Sequence, residues 1–215
     1  MKKYKAVLFD LDGTLLDTSE GILASVRYVI EKEGLPPITG GESDKFIGPP
    51  IQNSLKKEYN LSSEEATRLA AIFRERYSTV DLCKASLYPG VLEMLSELRK
   101  IGCKIGVATY KRMDYASDIL DKFDILPLCD CVEGADFEGR FTKKDIINNC
   151  IDNLNCPKSE VLMIGDTEND LIGAQNAGID FLAVTFGFGF KDKSKLEFYA
   201  ENCNEITKFI KNSEE

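Results

Sequence analysis

Ala6-Val7-Leu8-Phe9-Asp10-Leu11-Asp12-Gly13-Thr14 decides how the rest of this 215-residue chain is read. Four apolar residues without polar alternation describe a strand buried on both faces, as in a parallel sheet. The run stops at two acids spaced two apart and a Gly-Thr turn. It therefore delivers carboxylates to the carboxyl end of a strand, the edge at which open α/β sheets bind ligands. Three more runs repeat the pattern. Ile105-Gly106-Val107-Ala108 precedes Thr109, Val161-Leu162-Met163-Ile164 precedes Gly165-Asp166, and Phe181-Leu182-Ala183-Val184 precedes Thr185.

Helical periodicity fills the intervals at 91–100, 114–122, 143–153 and 169–177. Such alternation predicts an α/β fold with a Rossmann-like parallel sheet. One stretch breaks the rhythm. From Asp17 to Leu87 no convincing apolar strand occurs, but 19–32 and 63–82 read as helices. The second has Ala66, Leu69, Ala70, Phe73 and Tyr77 on one face. Between them lies the loop Phe46-Ile47-Gly48-Pro49-Pro50. The expected organisation is a core over 1–16 and 88–215 with a helical cap, 17–87, inserted after the first strand. Tyr88-Pro89-Gly90 turns the chain back to the core.

Composition narrows the chemistry. The chain has no histidine, which removes Ser-His and Cys-His triads and histidine-ligated zinc. A net charge of −9 argues against a nucleic-acid polymer or an anionic membrane as partner, and leaves room for a small anionic ligand. No apolar run is long enough to span a bilayer, and the opening lacks a signal peptide's long apolar region, so a cytoplasmic protein is expected. Seven cysteines, an odd and scattered set, predict reduced thiols, with Cys129 and Cys131 as structural thiols on an edge strand.

The carboxyl edge would gather Asp10, Asp12, Thr109, Asp166 and Asp170, together with Lys143. That lysine follows Thr142, which with Asp145 forms a capping-box-like helix start. Converging carboxylates repel unless a cation neutralises them, and oxygen-only ligands favour magnesium. A carboxylate can attack phosphorus to give an acyl phosphate. A second acid two residues away can protonate the leaving alkoxide and then activate water. A lysine and Thr109 would hold the phosphoryl oxygens.

Asp10-Leu11-Asp12-Gly13-Thr14-Leu15-Leu16-Asp17-Thr18 resembles the first signature of the haloacid dehalogenase superfamily. Thr109 resembles the second, Lys143 the third, and Gly165-Asp166-Thr167-Glu168-Asn169-Asp170 the fourth, in the same order and over nearly the whole chain. The 46–50 loop, Tyr88-Pro89-Gly90 and Gly187-Phe188-Gly189 further resemble the phosphoglycolate phosphatase-like and 5′-nucleotidase-like branch.

The resemblance implies a magnesium-dependent phosphatase that hydrolyses a small phosphate monoester through an aspartyl-phosphate. Asp10 would be the nucleophile and Asp12 the general acid/base. The metal would be held by Asp10, the backbone carbonyl of Asp12, and Asp166, with Asp170 supporting its waters or orienting the lysine. Two positions depart from the family pattern. Tyr110 stands where Asn is common, and Lys144 follows Lys143 where proline is frequent, so either lysine is open as the phosphate ligand and Lys143 is preferred.

A β-phosphoglucomutase-like phosphomutase is the alternative. A receiver domain is disfavoured by Asp12 and by the long insert, and a dehalogenase by the second acid. A phosphonate hydrolase would need a cap lysine such as Lys32, Lys45, Lys56 or Lys57. Because the core groups all address the phosphoryl group and metal, the cap is expected to choose the leaving group. Phe46, Gly48 and Arg74 are its candidate substrate contacts, with Arg76 as a further possibility. The protein is expected to act as a monomer or homodimer on a small-molecule phosphate ester.

Overall fold

A computed structural model of the chain describes residues 4–38, 43–137 and 140–212. Residues 1–3, at the start of the expected core, and 39–42, within the expected cap, lie outside the described residues. The strands are β1 (Ala6–Phe9), β2 (Leu16–Asp17), β3 (Ser86–Leu87), β4 (Lys104–Arg112), β5 (Cys131–Ala135), β6 (Val161–Gly165), β7 (Asp180–Val184) and β8 (Tyr199–Ala200). The helices are α1 (Ser19–Glu33), α2 (Ile51–Tyr59), α3 (Ser63–Arg76), α4 (Val91–Lys100), α5 (Met113–Lys122), α6 (Lys143–Leu154), α7 (Glu168–Ala177) and α8 (Cys203–Asn212).

Six strands form one sheet in the order β5-β4-β1-β6-β7-β8, every neighbouring pair parallel. Alternation along β1 explains its unbroken apolar sequence. Val7 and Phe9 join one core with Leu95, Leu98, Ile119, Ile206 and Ile210 of α4, α5 and α8. Ala6 and Leu8 join the other, with Ile146, Ile147, Cys150 and Ala174 of α6 and α7. Both faces are dry, which a half-polar strand could not satisfy. Burial of a side chain such as Leu8 contributes roughly 2 kcal/mol.

Three local differences from the sequence reading matter for the site. β4 does not stop at Ala108; it runs to Arg112, with a shift in its pairing to β5 between Ala108 and Arg112. The stretch between β1 and Leu87 contains a two-residue antiparallel ribbon, Leu16 opposite Leu87 and Asp17 opposite Ser86, where the helical insert leaves the core and returns. The insert also carries α2, which the sequence reading missed, and α3 ends at Arg76. The chain then widens into a π turn at Tyr77–Asp81, closed by the Leu82 amide donating to the Tyr77 carbonyl at 2.7 Å. Fully buried Asp81 anchors that turn, accepting from Ser25 at 3.0 Å and pairing with Arg76 at 2.9 Å and Lys84 at 2.8 Å.

Cys131 opens the edge strand β5, whereas Cys129 lies just before it; all seven cysteines are free thiols. No helix among the described residues is long and apolar enough to cross a membrane.

Candidate active site

β1 ends with the Asp10 amide donating to the Ile164 carbonyl at 2.9 Å, which places Asp10 at the carboxyl edge beside β6. Its Oδ1 accepts from Lys143 Nζ at 2.6 Å, and the same ammonium lies 2.7 Å from Asp170 Oδ1. Lys143 is the first residue of α6. Thr142 caps that helix by accepting from the Asp145 amide, and the Asp145 carboxylate accepts from the Thr142 amide in return. One helical step further round, Lys144 is exposed. Between the two lysines, only Lys143 reaches the acids. Burial alone would lower its pKa, but Asp10 and Asp170 outweigh burial and raise it.

Tyr110, the departure from the family's Asn, takes a specific part in this arrangement. Its hydroxyl accepts from the Lys143 backbone amide at 2.9 Å, fixing the start of α6 against β4. Gly173 on α7 makes room for the lysine, since a Cβ there would lie 2.6 Å from Lys143 Cγ.

Asp166 follows β6 and is fully buried. Its Oδ2 accepts from the amides of Phe188 at 2.7 Å and Gly189 at 3.3 Å, while its Oδ1 has no hydrogen-bond partner among the described residues. The Gly187-Phe188-Gly189 stretch is thus a backbone cradle; a Cβ on Gly187 would lie 2.5 Å from the Asp166 side chain. Asp170 closes the capping box of α7, accepting from the Thr167 amide at 3.0 Å, and turns its other oxygen to Lys143.

One oxygen each from Asp10, Asp166 and Asp170 lies within 4.8 Å of the others. Burial first, then the neighbouring acids, push Asp10 well above the usual carboxylate range, although Lys143 opposes them. Burial, then Asp170, push Asp166 up to about 7 against the pull of its two amide donors. Three buried acids facing one ammonium leave an excess of negative charge. With oxygen-only donors and an orphaned Asp166 Oδ1, the set fits a hard divalent cation such as magnesium.

Asp12 is in a different environment. Its side chain is not part of that cluster; Oδ1 accepts from Thr18 Oγ1 at 2.6 Å and pairs with Lys111 Nζ at 3.0 Å. Thr109, inside β4 and buried, accepts from the Lys111 amide at 3.0 Å, which leaves its own hydroxyl hydrogen to donate elsewhere.

Lys111 was missed by the sequence reading. Its signal was available: in a strand, residues two apart share a face, so continuing β4 past Ala108 carries Lys111 to the side of Thr109. The lysine is buried and its Nζ also donates to the Tyr77 hydroxyl at 2.9 Å, joining the sheet edge to the π turn of the insert. Burial would lower its pKa; Asp12 and Tyr77 override burial and raise it.

Above Asp12 opens a cavity of about 120 Å³. Phe46, Gly48 and Arg74 all line it, as does Phe73. Arg76 does not; it pairs with Asp81 and covers the Tyr28 ring at 5.0 Å. Lys32, Lys45, Lys56 and Lys57 are absent from the lining too. The cap was expected to choose the leaving group, but the insert does not line this cavity alone. The sheet side contributes Tyr110, Lys111, Arg112 and Tyr115, and the segment after β5 adds Phe137 and Phe141.

Residues 7–184 match the family described as haloacid dehalogenase-like hydrolase. The chain is 30% identical over 205 residues to a 5′-nucleotidase of Pseudomonas aeruginosa, covering 95% of this chain and 93% of that protein. It is also 30% identical to a phosphoglycolate phosphatase of Caulobacter vibrioides, over 85% of this chain and 79% of that one. Among solved structures, a predicted phosphatase from Clostridium acetobutylicum superposes with a TM-score of 0.91 at 32% identity, covering 98% of this chain and 99% of that one. The protein belongs to the haloacid dehalogenase-like hydrolases.

Proposed function

We propose that this hydrolase cleaves small phosphate monoesters, phosphoglycolate-like or nucleotide-like, in two steps through an aspartyl-phosphate on Asp10. Its family and its phosphatase-named relatives make it a phosphoric monoester hydrolase. The observation that carries the mechanism is the separation of two acids at one strand end. Asp10 faces the lysine and the acidic cluster, whereas Asp12 faces the cavity.

In the first step the Asp10 carboxylate attacks phosphorus, and the leaving oxygen takes its proton from Asp12. In the second, Asp12 accepts a proton from water, and the resulting oxygen nucleophile displaces Asp10 from phosphorus to release inorganic phosphate. Lys143 and the Thr109 hydroxyl hold the phosphoryl oxygens through both steps. Asp10, Asp166 and the Asp12 backbone carbonyl would hold magnesium, with Asp170 keeping Lys143 in place. The bound ion supplies positive charge against the carboxylates and the phosphoryl oxygens.

In this reading 1–16 and 88–215 act as the catalytic core and 17–87 as the cap, joined through the β2–β3 ribbon. The test is intact-protein mass spectrometry after mixing with an aryl phosphate and magnesium. Asp12→Asn should accumulate a phosphoryl adduct that maps to Asp10, and Asp10→Asn should form none and turn over nothing. Near-normal turnover by Asp10→Asn would overturn the mechanism.

A further inference from the structure

The cavity above Asp12 is walled by two kinds of chemistry. Aromatic rings line its depth, with Phe73 stacked on Tyr77 at 5.4 Å and Tyr115 edge-on to Tyr77 at 5.9 Å. Phe137 and Phe141 also line it and are 72% and 41% exposed, an unusual display for large apolar rings.

The second chemistry is charged: of its acids, Asp12 pairs with Lys111 and Asp136 accepts from the Arg140 amide and guanidinium, which leaves the cations to be placed. Lys111 is committed to Asp12 and Tyr77. Arg112 is gripped through two nitrogens by the Asp114 carboxylate and lies 4.0 Å from the Tyr115 ring centroid and 4.7 Å from that of Phe137. Arg74 differs from both. It projects from α3 into the same cavity and is half-buried, and among the described residues no carboxylate acts on its guanidinium. Burial first, and then the charge of Arg112, weaken its hold on its own proton. A desolvated guanidinium without a counter-ion is unfavourable, and its planar fork is suited to a carboxylate or phosphate.

Position adds a length requirement. Contacts run outward from Asp12 to Lys111, then Tyr77, then Tyr115, whose hydroxyl donates to the Arg74 carbonyl at 3.4 Å. The Arg74 backbone therefore stands several side chains away from Asp12, and its guanidinium lies on that same outer side, where the Arg112 charge and Tyr115 act on it.

We propose that the substrate's leaving group is a flat ring carrying a second oxyanion at the end remote from the scissile bond. The ring lies among Phe73, Tyr77, Tyr115 and Phe137, and the oxyanion pairs with Arg74. This assignment rests on the phosphatase reading and narrows its substrate class, since a two-carbon ester offers neither the ring nor the reach.

The experiment compares kcat/KM for 4-carbamoylphenyl, 4-carboxyphenyl and 4-phosphonophenyl phosphate, with 2-phosphoglycolate as the short anionic ester. One or both anionic ring esters should exceed the carbamoyl ester by about tenfold or more, the range of a charge-assisted hydrogen bond. The better of the two identifies the oxyanion. The carbamoyl-substituted phenolate is the better leaving group than the carboxylate-substituted one, so leaving-group electronics oppose that result. Arg74→Gln should bring the anionic-to-neutral ratio close to one, and Arg74→Lys should restore part of it. Equal rates for the three ring esters, or a ratio that survives Arg74→Gln, would overturn the oxyanion site and leave the phosphatase reading standing. Faster turnover of 2-phosphoglycolate than of every ring ester would overturn the ring. No hydrolysis of any ester would overturn the phosphatase reading, and this inference with it.

Discussion

Lys111 Nζ stands 3.0 Å from Asp12 Oδ1, inside the protein and at the floor of the cavity. The acid assigned to the leaving group is thus held by a cation that the helical insert also touches, through the Tyr77 hydroxyl. Lys111→Met should impair proton delivery more than it impairs attack by Asp10. Esters with poor, alkyl-type leaving groups should lose about tenfold more in kcat than a nitrophenyl ester, because general acid catalysis is worth about 10²–10⁴ only where the leaving oxygen needs its proton. Lys111→Arg should recover part of the difference. Equal losses for both ester types would assign Lys111 to folding alone.

Lys143 and Lys144 are adjacent in sequence but opposite in environment. Lys143→Met removes the one ammonium between Asp10 and Asp170, and turnover should fall by about 10²-fold or more, as expected when a preorganised charge on the phosphoryl group is lost. Lys144→Met, on the exposed side of α6, should stay within about twofold of wild type and within about 0.5 kcal/mol in stability. Steady-state kinetics and thermal melts on the two variants decide the matter. A reversed order would transfer the phosphate contact to Lys144.

The acidic cluster makes stability depend on pH in a direction opposite to most carboxylates. Asp166 is raised from 3.8 to about 7 in the folded protein without a cation, so it binds its proton more tightly folded than unfolded. Its stabilising contribution is complete below about 4 and is lost as pH rises towards about 7. Protein treated with a chelator should therefore melt at a lower temperature at pH 8 than at pH 5.5. Magnesium should restore the loss at pH 8 and do little at pH 5.5, where protons compete for the ligand oxygens. Calorimetry with and without magnesium measures this. A magnesium shift of equal size at both pH values would contradict the site.

Much of this site was legible because the informative residues sit where a buried strand ends. Asp10, Asp12 and Asp166 each follow an apolar run, and Lys143 follows a helix cap that local chemistry specifies. Lys111 was lost because β4 was ended at Ala108, at the first polar residue, although Thr109 and Lys111 are both buried within the strand. α2 was missed because its nine residues bury only Ser54 and Leu55, too little apolar periodicity to read.

The cavity was the least accessible feature. Arg74, Arg112, Tyr115 and Phe137 are far apart in sequence, and no local pattern says that α3, β4, α5 and the segment after β5 meet there. Phe46 shows the converse limit: it lines the cavity as expected, yet at 2% exposure its ring is also part of the hydrophobic core. Phe46→Ala would therefore mix loss of substrate contact with a cavity cost of about 3–5 kcal/mol.

The β2–β3 ribbon has a consequence for how such a chain can change. Leu16 pairs with Leu87 and Asp17 with Ser86, so the two points where the intervening segment attaches lie one strand spacing apart, about 4.8 Å. The distance that segment must bridge is then independent of how many residues it contains, and the entropy of closing it grows only with the logarithm of its length. A lineage can lengthen, trim or exchange that module without altering the register of β1 against β4 and β6. The inserted module and the sheet can then drift at separate evolutionary rates, coupled where Tyr77 meets Lys111 and Tyr115 and where Tyr115 meets Arg74.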